Sequence, residues 1–220
     1  MAMVRIRDAD IHLKMSPTEN AFLKKYGYYA MRSINKLSTI RKNLSELQGN
    51  IRIREIQKFD ERIEPFLNLI KQRFEFMVVR DNIYLNWRYC DPRAGKYIVK
   101  IAEDQDQILG YIVLRINKLR KEYPVGYIVD LLVLPEHLNV ANELVEDAVN
   151  FFDRENINII HAHILKNSLF EPILQSIGFV DYKSRAYLNY NPEYKNNAIE
   201  ELKKSSIKSK HFVMGDFDWI

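Results

Sequence analysis

Asp130 interrupts a run of apolar residues, Ile128, Val129, Leu131 and Leu132, in a strand-like segment from Gly126 to Leu134. A carboxyl carried into such surroundings loses solvation, which raises its pKa toward the range where it can take and return a proton near neutrality. The competing reading is a structural carboxylate satisfied by main chain at a bulge or by a nearby arginine. His161 and His163 lie two apart in the segment Ile157 to Leu165 and so share one strand face. They could begin a metal site, but no third ligand is recognisable, and they read as core or rim histidines satisfied by hydrogen bonds. Tyr84, Trp87 and Tyr89, with Arg80 and Arg88 beside them, bring flat rings and guanidinium groups together. Large rings fill cores more often than they bind ligands, and a pocket for a flat or anionic molecule is the competing reading. Cys90 is the single cysteine and no Cys-based motif surrounds it, so it reads as a small packed side chain.

The elements that must position these residues follow from periodicity and punctuation. Val4 to Met15 alternates imperfectly and reads as one or two short extended pieces. Ser16-Pro17-Thr18-Glu19 looks like a helix start, and apolar residues recur at helical spacing from Phe22 toward Leu47 before the stop at Gln48-Gly49-Asn50. Ile51 to Ile56 alternates with period two as a strand, and Asp60 is placed to cap a helix carrying Ile63, Phe66, Leu67, Ile70 and Phe74. A second helical piece runs through Ile83, Tyr84, Trp87 and Tyr89 to the turn Asp91–Gly95. Tyr97–Ala102 and Ile108–Ile116 form a hairpin, and Gly126–Leu134 reads as a strand buried on both faces. Asn139 can cap a helix with the stripe Val140, Leu144, Ala148 and Phe152, which crosses over to the strand Ile157–Leu165; such a unit implies a parallel, right-handed pair. A short helix Leu169–Ile177, a strand Val180–Tyr190 and a last strand at Phe212-Val213-Met214 complete the chain.

The composition, 47% apolar and 28% charged in 220 residues, is that of a globular domain with an appendage. No apolar run reaches the roughly 18–20 residues of a membrane span and no secretory h-region opens the chain, so a cytoplasmic protein is expected. Residues 1–60 carry twelve Lys/Arg against six Asp/Glu, leaving the rest of a +4 chain net negative. Those charges alternate with apolar residues and read as a solvated helix; no zinc-finger, RNP-type or Arg-rich signature points to nucleic acid.

"EDQDQILGYIVLRI" (Glu103–Ile116), "VDLLVLPE" (Val129–Glu136) and "NSLFEPILQSIGF" (Asn167–Phe179), in that order and spacing, resemble the acyl-CoA-binding framework of the GNAT superfamily of N-acyltransferases. "RDNIYLNWRYCDP" (Arg80–Pro92) is similar to a segment from a bacterial and archaeal branch that often carries two GNAT-like domains per chain. The resemblance implies an α+β fold: a mixed, mostly antiparallel central sheet flanked by helices over residues 50–220. Residues 1–49 then form an N-terminal strand and helix appendage, similar to the closing strand of a preceding domain plus a linker. A homodimer or a partner GNAT-like domain is the corresponding expectation.

The resemblance also implies a chemistry, direct attack of an amine on the thioester of acetyl-CoA or another acyl-CoA, with no metal. Asp130 would be the base, a main-chain N–H near Leu132, Val133 and Leu134 would hold the carbonyl oxygen, and Tyr182 or Tyr187 would be the acid, because the family's usual tyrosine position is Leu174 here. The amides of Val140, Ala141 and Asn142 at a helix start would meet the pyrophosphate, and Asn167 would lie near the pantetheine. The family's two loop glycines are missing from His137–Asn142, so the close main-chain approach that glycine permits is lost. Arg80, Tyr84, Trp87 and Arg88 would line a pocket for a small-molecule amine or sugar-like acceptor. The alternative is a GNAT-like domain that has lost the cofactor and serves as a ligand-binding or protein-interaction scaffold.

Overall fold

The computed structural model describes residues 1–15, 51–182 and 197–216. The helix expected through residues 18–47, Tyr187 and the C-terminal residues 217–220 lie outside the described residues. Seven strands make one sheet in the order β2-β3-β4-β5-β6-β1-β7. They are β1 (Ala2–Ile6), β2 (Arg52–Ile56), β3 (Ile98–Asp104), β4 (Gln107–Asn117), β5 (Val125–Val133), β6 (Ile159–His163) and β7 (Val180–Asp181). Every neighbouring pair is antiparallel except β5 and β6, the pair joined by the crossover helix. This is the mixed, mostly antiparallel α+β sheet expected.

The helices cover both faces. α1 (Ala9–Met15) is capped by Asp8, whose Oδ1 accepts from the amides of Asp10 and Ile11, so the second of the extended pieces expected before Met15 is a helix instead. α2 (Ile63–Lys71) buries Ile63, Phe66, Leu67 and Ile70 on one face of the sheet. Its expected cap, Asp60, closes the preceding turn and accepts from the Arg62 amide at 3.0 Å, which delays the helix to Ile63. α3 (Asn82–Leu85) is capped by Asp81 and widens into a π turn, Asn86–Cys90, that turns Tyr89 inward and leaves Trp87 58% exposed. On the opposite face, α4 (Leu138–Arg154) packs Val140, Leu144, Ala148 and Phe152 against Ile112, Leu114, Ile128 and Leu131, with α5 (Glu171–Ser176) beside it. α6 (Asn197–Lys204) precedes the C-terminal segment.

Two assignments change the way the sheet closes. β1 does not hang outside the sheet; it lies between β6 and β7, from Ala2 opposite His163 to Ile6 opposite Ile159. The expected closing strand Phe212-Val213-Met214 therefore has no ladder position to take. It makes a single antiparallel bridge, Val213 with Ile164, and continues into a 3₁₀ turn at Met214–Asp216.

Candidate active site

The site begins with one extra residue in β5. Val113 of β4 faces Asp130, but the next residue, Leu114, faces Ile128, so Val129 has no partner and forms a β-bulge. The bulge shifts the alternation of β5. Ile128 and Leu131 join the α4 side of the sheet, while Val129 and Leu132 join the α2 side. Asp130 is thereby delivered to the α2 side as well, where it meets Tyr111, Tyr89 and Arg80. The bulge also bends β5 away from β6: parallel pairing runs from Val125–Ile159 to Ile128–Ala162 and stops. From Val129 to Val133, β5 has β4 on one side and, among the described residues, no strand on the other.

Asp130 is fully buried, and three donors converge on its Oδ2: Arg80 Nε at 3.2 Å, the Tyr89 hydroxyl at 2.9 Å and the Tyr111 hydroxyl at 3.1 Å. Its Oδ1 is buried without a hydrogen-bond partner among the described residues. Arg80 spans two carboxylates, reaching Asp216 Oδ1 with Nη2 at 2.7 Å and giving Nη1 to the Val78 carbonyl at 2.9 Å. Burial opposes its charge, but Asp130 and Asp216 outweigh the burial and hold the guanidinium protonated. Burial pushes Asp216 up to about 6, with Asp130 adding to the push and Arg80 resisting it. Burial, then the neighbouring Asp130, raises both tyrosine hydroxyls well above their ordinary range. The expected base and one expected substrate residue, Arg80, thus meet in a buried ionic cluster, where Arg80 holds carboxylates and does not line an open pocket.

The C-terminal segment fills the place where β5 and β6 part. It enters beside Phe76, whose carbonyl accepts the His211 amide at 2.8 Å. His211 Nε2 donates to the Leu131 carbonyl at 2.8 Å, so that carbonyl faces the parting. Main-chain groups of alternate residues point the same way along a strand, so those of Val129 and Val133 face it too. Burial, followed by Arg80, lowers the His211 pKa to about 4; the ring is neutral, its proton sits on Nε2, and its buried Nδ1 has no partner. Val213 bridges to Ile164 from the β6 side, and Met214 and Gly215 are buried behind it. A Cβ on Gly215 would fall on the Tyr89 hydroxyl and lie 3.2 Å from the Val129 carbonyl oxygen, so only glycine passes there. Arg88 donates to the Gly215 carbonyl at 3.1 Å.

The other expected residues fall in different places. Leu132, Val133 and Leu134 are buried along the parted half of β5. α4 starts at Leu138, ahead of the expected Asn139 cap, with the Val140 amide bonded to the His137 carbonyl at 3.0 Å. Ala141 and Asn142 lie deeper, where amides bond within the helix, so the first turn offers the Leu138 and Asn139 amides in place of those expected. Val140 and Ala141 point into the core, and Asn142 bonds Glu146 at 3.0 Å. Asn167 is exposed at a positive φ of 61°, its amide held by Glu171 at 2.5 Å. Tyr182 lies just past β7, three strands from β5, roughly 14 Å across the ladders and too far to serve Asp130. Its ring meets His161, which stacks on Tyr127 at 5.6 Å. Glu103 is buried and accepts from Arg54 at 2.8 Å. Tyr84 and Trp87 remain a half-open aromatic pair, with ring centroids 6.0 Å apart.

An acyl-CoA does not fit this parting while residues 211–215 are in it. His211, Val213, Met214 and Gly215 are buried in it.

Residues 63–170 match the profile of the acetyltransferase (GNAT) family. No curated protein matches the chain. Among solved structures it is similar to an acetyltransferase of Trypanosoma brucei, at 18% identity and a TM-score of 0.47, over 64% of this chain and 100% of that one. It is also similar to glucosamine-6-phosphate N-acetyltransferase from Arabidopsis thaliana, at 16% identity, a TM-score of 0.46, and 64% and 99% coverage. A predicted acetyltransferase from Clostridium acetobutylicum, solved with acetyl-CoA, shares 19% identity over 63% of this chain and 96% of its own, with a TM-score of 0.44. The family match ends before the segment that fills the parting.

Proposed function

We propose that the protein is an acyl-CoA-dependent N-acyltransferase that moves an acetyl or other acyl group to the amine of a small acceptor. One observation carries this reading: the bulge at Val129 and the loss of β6 pairing beyond Ile128 leave a slot walled by main chain. What occupies it is a segment of main chain whose His211 ring bonds the Leu131 carbonyl, so the slot offers the polarity for an amide-bearing guest such as a pantetheine arm. The structure then represents a closed form, and donor binding requires residues 211–215 to leave. In the open form Asp130 Oδ1 is the proton acceptor, Tyr89 and Tyr111 fix the carboxylate on its other oxygen, and Tyr84 with Trp87 offers ring faces to a flat or sugar-like amine.

The second reading, a GNAT-like scaffold without acyl-CoA, is favoured by the same filled slot and by a glycine-free first turn of α4. Calorimetric titration of acetyl-CoA into the full chain, with thiol release followed over a panel of amines, separates the two. Donor binding with amine-dependent thiol release supports the enzyme. No heat at millimolar donor and no thiol release, from the full chain or from a chain ending at Lys210, leaves the scaffold.

A further inference from the structure

We propose that residues 210–216 are a displaceable strap, an internal competitor that holds the acyl-donor slot shut until the donor drives it out. The proposal rests on the acyltransferase reading and adds the device that regulates access to the site.

Four observations carry it. The strap touches both walls of the parting, through His211 to the Leu131 carbonyl and through Val213 to Ile164. It is not needed to close the sheet, because β1 holds the place between β6 and β7. Part of its polar satisfaction travels with it: the Val213 amide bonds Asp216 Oδ2 at 2.9 Å and the Asp216 amide bonds the Val213 carbonyl at 3.1 Å. Leaving therefore strands few of its own groups. Finally, the docked state is imperfectly satisfied, since His211 Nδ1 and Asp130 Oδ1 are both buried without partners. A donor that fills the slot competes with contacts already short of ideal, and two-state exchange of this kind shifts with differential affinity alone.

The latch is legible as well. Arg80 and Arg88 grip the far end of the strap at Asp216 and the Gly215 carbonyl, and Gly215 passes the Tyr89 hydroxyl without room for a Cβ. Gly215→Ala should therefore act as a wedge that opens the strap from its own side and adds nothing to the donor's contacts.

The test uses the full chain. Amide exchange at His211, whose amide bonds the Phe76 carbonyl outside the strap, is followed with and without saturating acetyl-CoA, and acetyl-CoA affinity is measured by calorimetry for the natural chain and for Gly215→Ala. The strap predicts that acetyl-CoA strips protection from the His211 amide and that Gly215→Ala binds acetyl-CoA at least tenfold tighter. Equal affinities with protection unmoved by bound acetyl-CoA would overturn the strap and leave the acyltransferase reading standing. If neither the natural chain, Gly215→Ala nor a chain ending at Lys210 binds acetyl-CoA, both fall together. Should Gly215→Ala fail to fold, the exchange measurement on the natural chain decides alone.

Discussion

The lower and upper halves of β5 solve the same problem in opposite ways. From Val125 to Ile128 the strand is paired on both sides and lies over α4, with Phe152 and Ile157 closing on Gly126 so tightly that a Cβ there would meet the Phe152 ring at 2.8 Å. From Val129 to Val133 one ladder is missing, and a ring, a main-chain segment and an arginine bridging two carboxylates replace it. The first half is apolar, regular and self-sufficient. The second depends on charges that must stay paired and on a segment from the far end of the chain. A single bulged residue separates them, so local main-chain geometry can turn one strand from scaffold into site.

That contrast can be broken most forcefully at Arg80. Arg80→Met leaves Asp130 and Asp216 buried without their cation, and unfolding by urea should show a loss of about 3–5 kcal/mol. Replacing Asp130 and Asp216 by Leu in the same chain should recover most of that loss, because an apolar cluster of similar volume needs no pairing. Recovery that fails would mean the ion cluster stabilises the upper half outright.

In the lower half, Leu144→Ala should cost about 3 kcal/mol by transfer and cavity effects, measured by the same unfolding experiment, with no change in exchange at His211. A change there would show that the halves are coupled.

Acid should act next. Burial, with Arg80 second, holds His211 at about 4, and burial, with His163 and His12 adding, holds His161 at about 4. Both lie below the unfolded value near 6.5, so stability falls as pH drops from 6.5 toward 4, by about 2 kcal/mol per histidine at pH 5. Asp216, raised to about 6, has the opposite sign: its contribution is full near pH 4 and is lost as pH rises through 6, offsetting about 1 kcal/mol at pH 5. Arg80, Asp130 and Tyr89 are the charged and titratable groups gathered around these two in the upper half. Denaturation at pH 5 against pH 7 should therefore show a net loss of about 2–3 kcal/mol. His211→Gln, which can keep a donor to the Leu131 carbonyl, should reduce that loss. The smallest effect belongs to Trp87→Ala, within about 0.5 kcal/mol on stability because the ring is 58% exposed; under the proposed acyltransferase function its consequence should show as a raised KM for the amine acceptor.

The lower half was readable in the sequence because it obeys periodicity. The α2 stripe Ile63, Phe66, Leu67 and Ile70, the α4 stripe Val140, Leu144, Ala148 and Phe152, and the parallel β5–β6 pair all stand where spacing and crossover logic put them. The upper half was not, because its geometry comes from long-range partners that leave no periodic trace. Asp130 stood out as a carboxylate among apolar residues, and an arginine partner at a bulge was one reading of it. Which face it takes depends on Val129 having no partner in β4, which alternation alone cannot show. Tyr89 could be noticed as part of an aromatic group, but Tyr111 looks like any strand residue until its hydroxyl meets Asp130. His211 and Asp216 carried no local motif beyond a Gly-Asp pair near the end of the chain, and their role appears only once β1 takes the closing place in the sheet. The start of α4 was missed by two residues because His137 precedes it without any side-chain cap to mark the boundary.

The proposed acyl-donor slot is the parting beyond Ile128, occupied here by the chain's own residues 211–215. Its most direct test is a crystal structure of the Gly215→Ala chain grown with acetyl-CoA. The account predicts the pantetheine arm lying along Val129 to Val133 with the strap withdrawn from Ile164. A donor bound elsewhere, with His211 still on the Leu131 carbonyl, would contradict it.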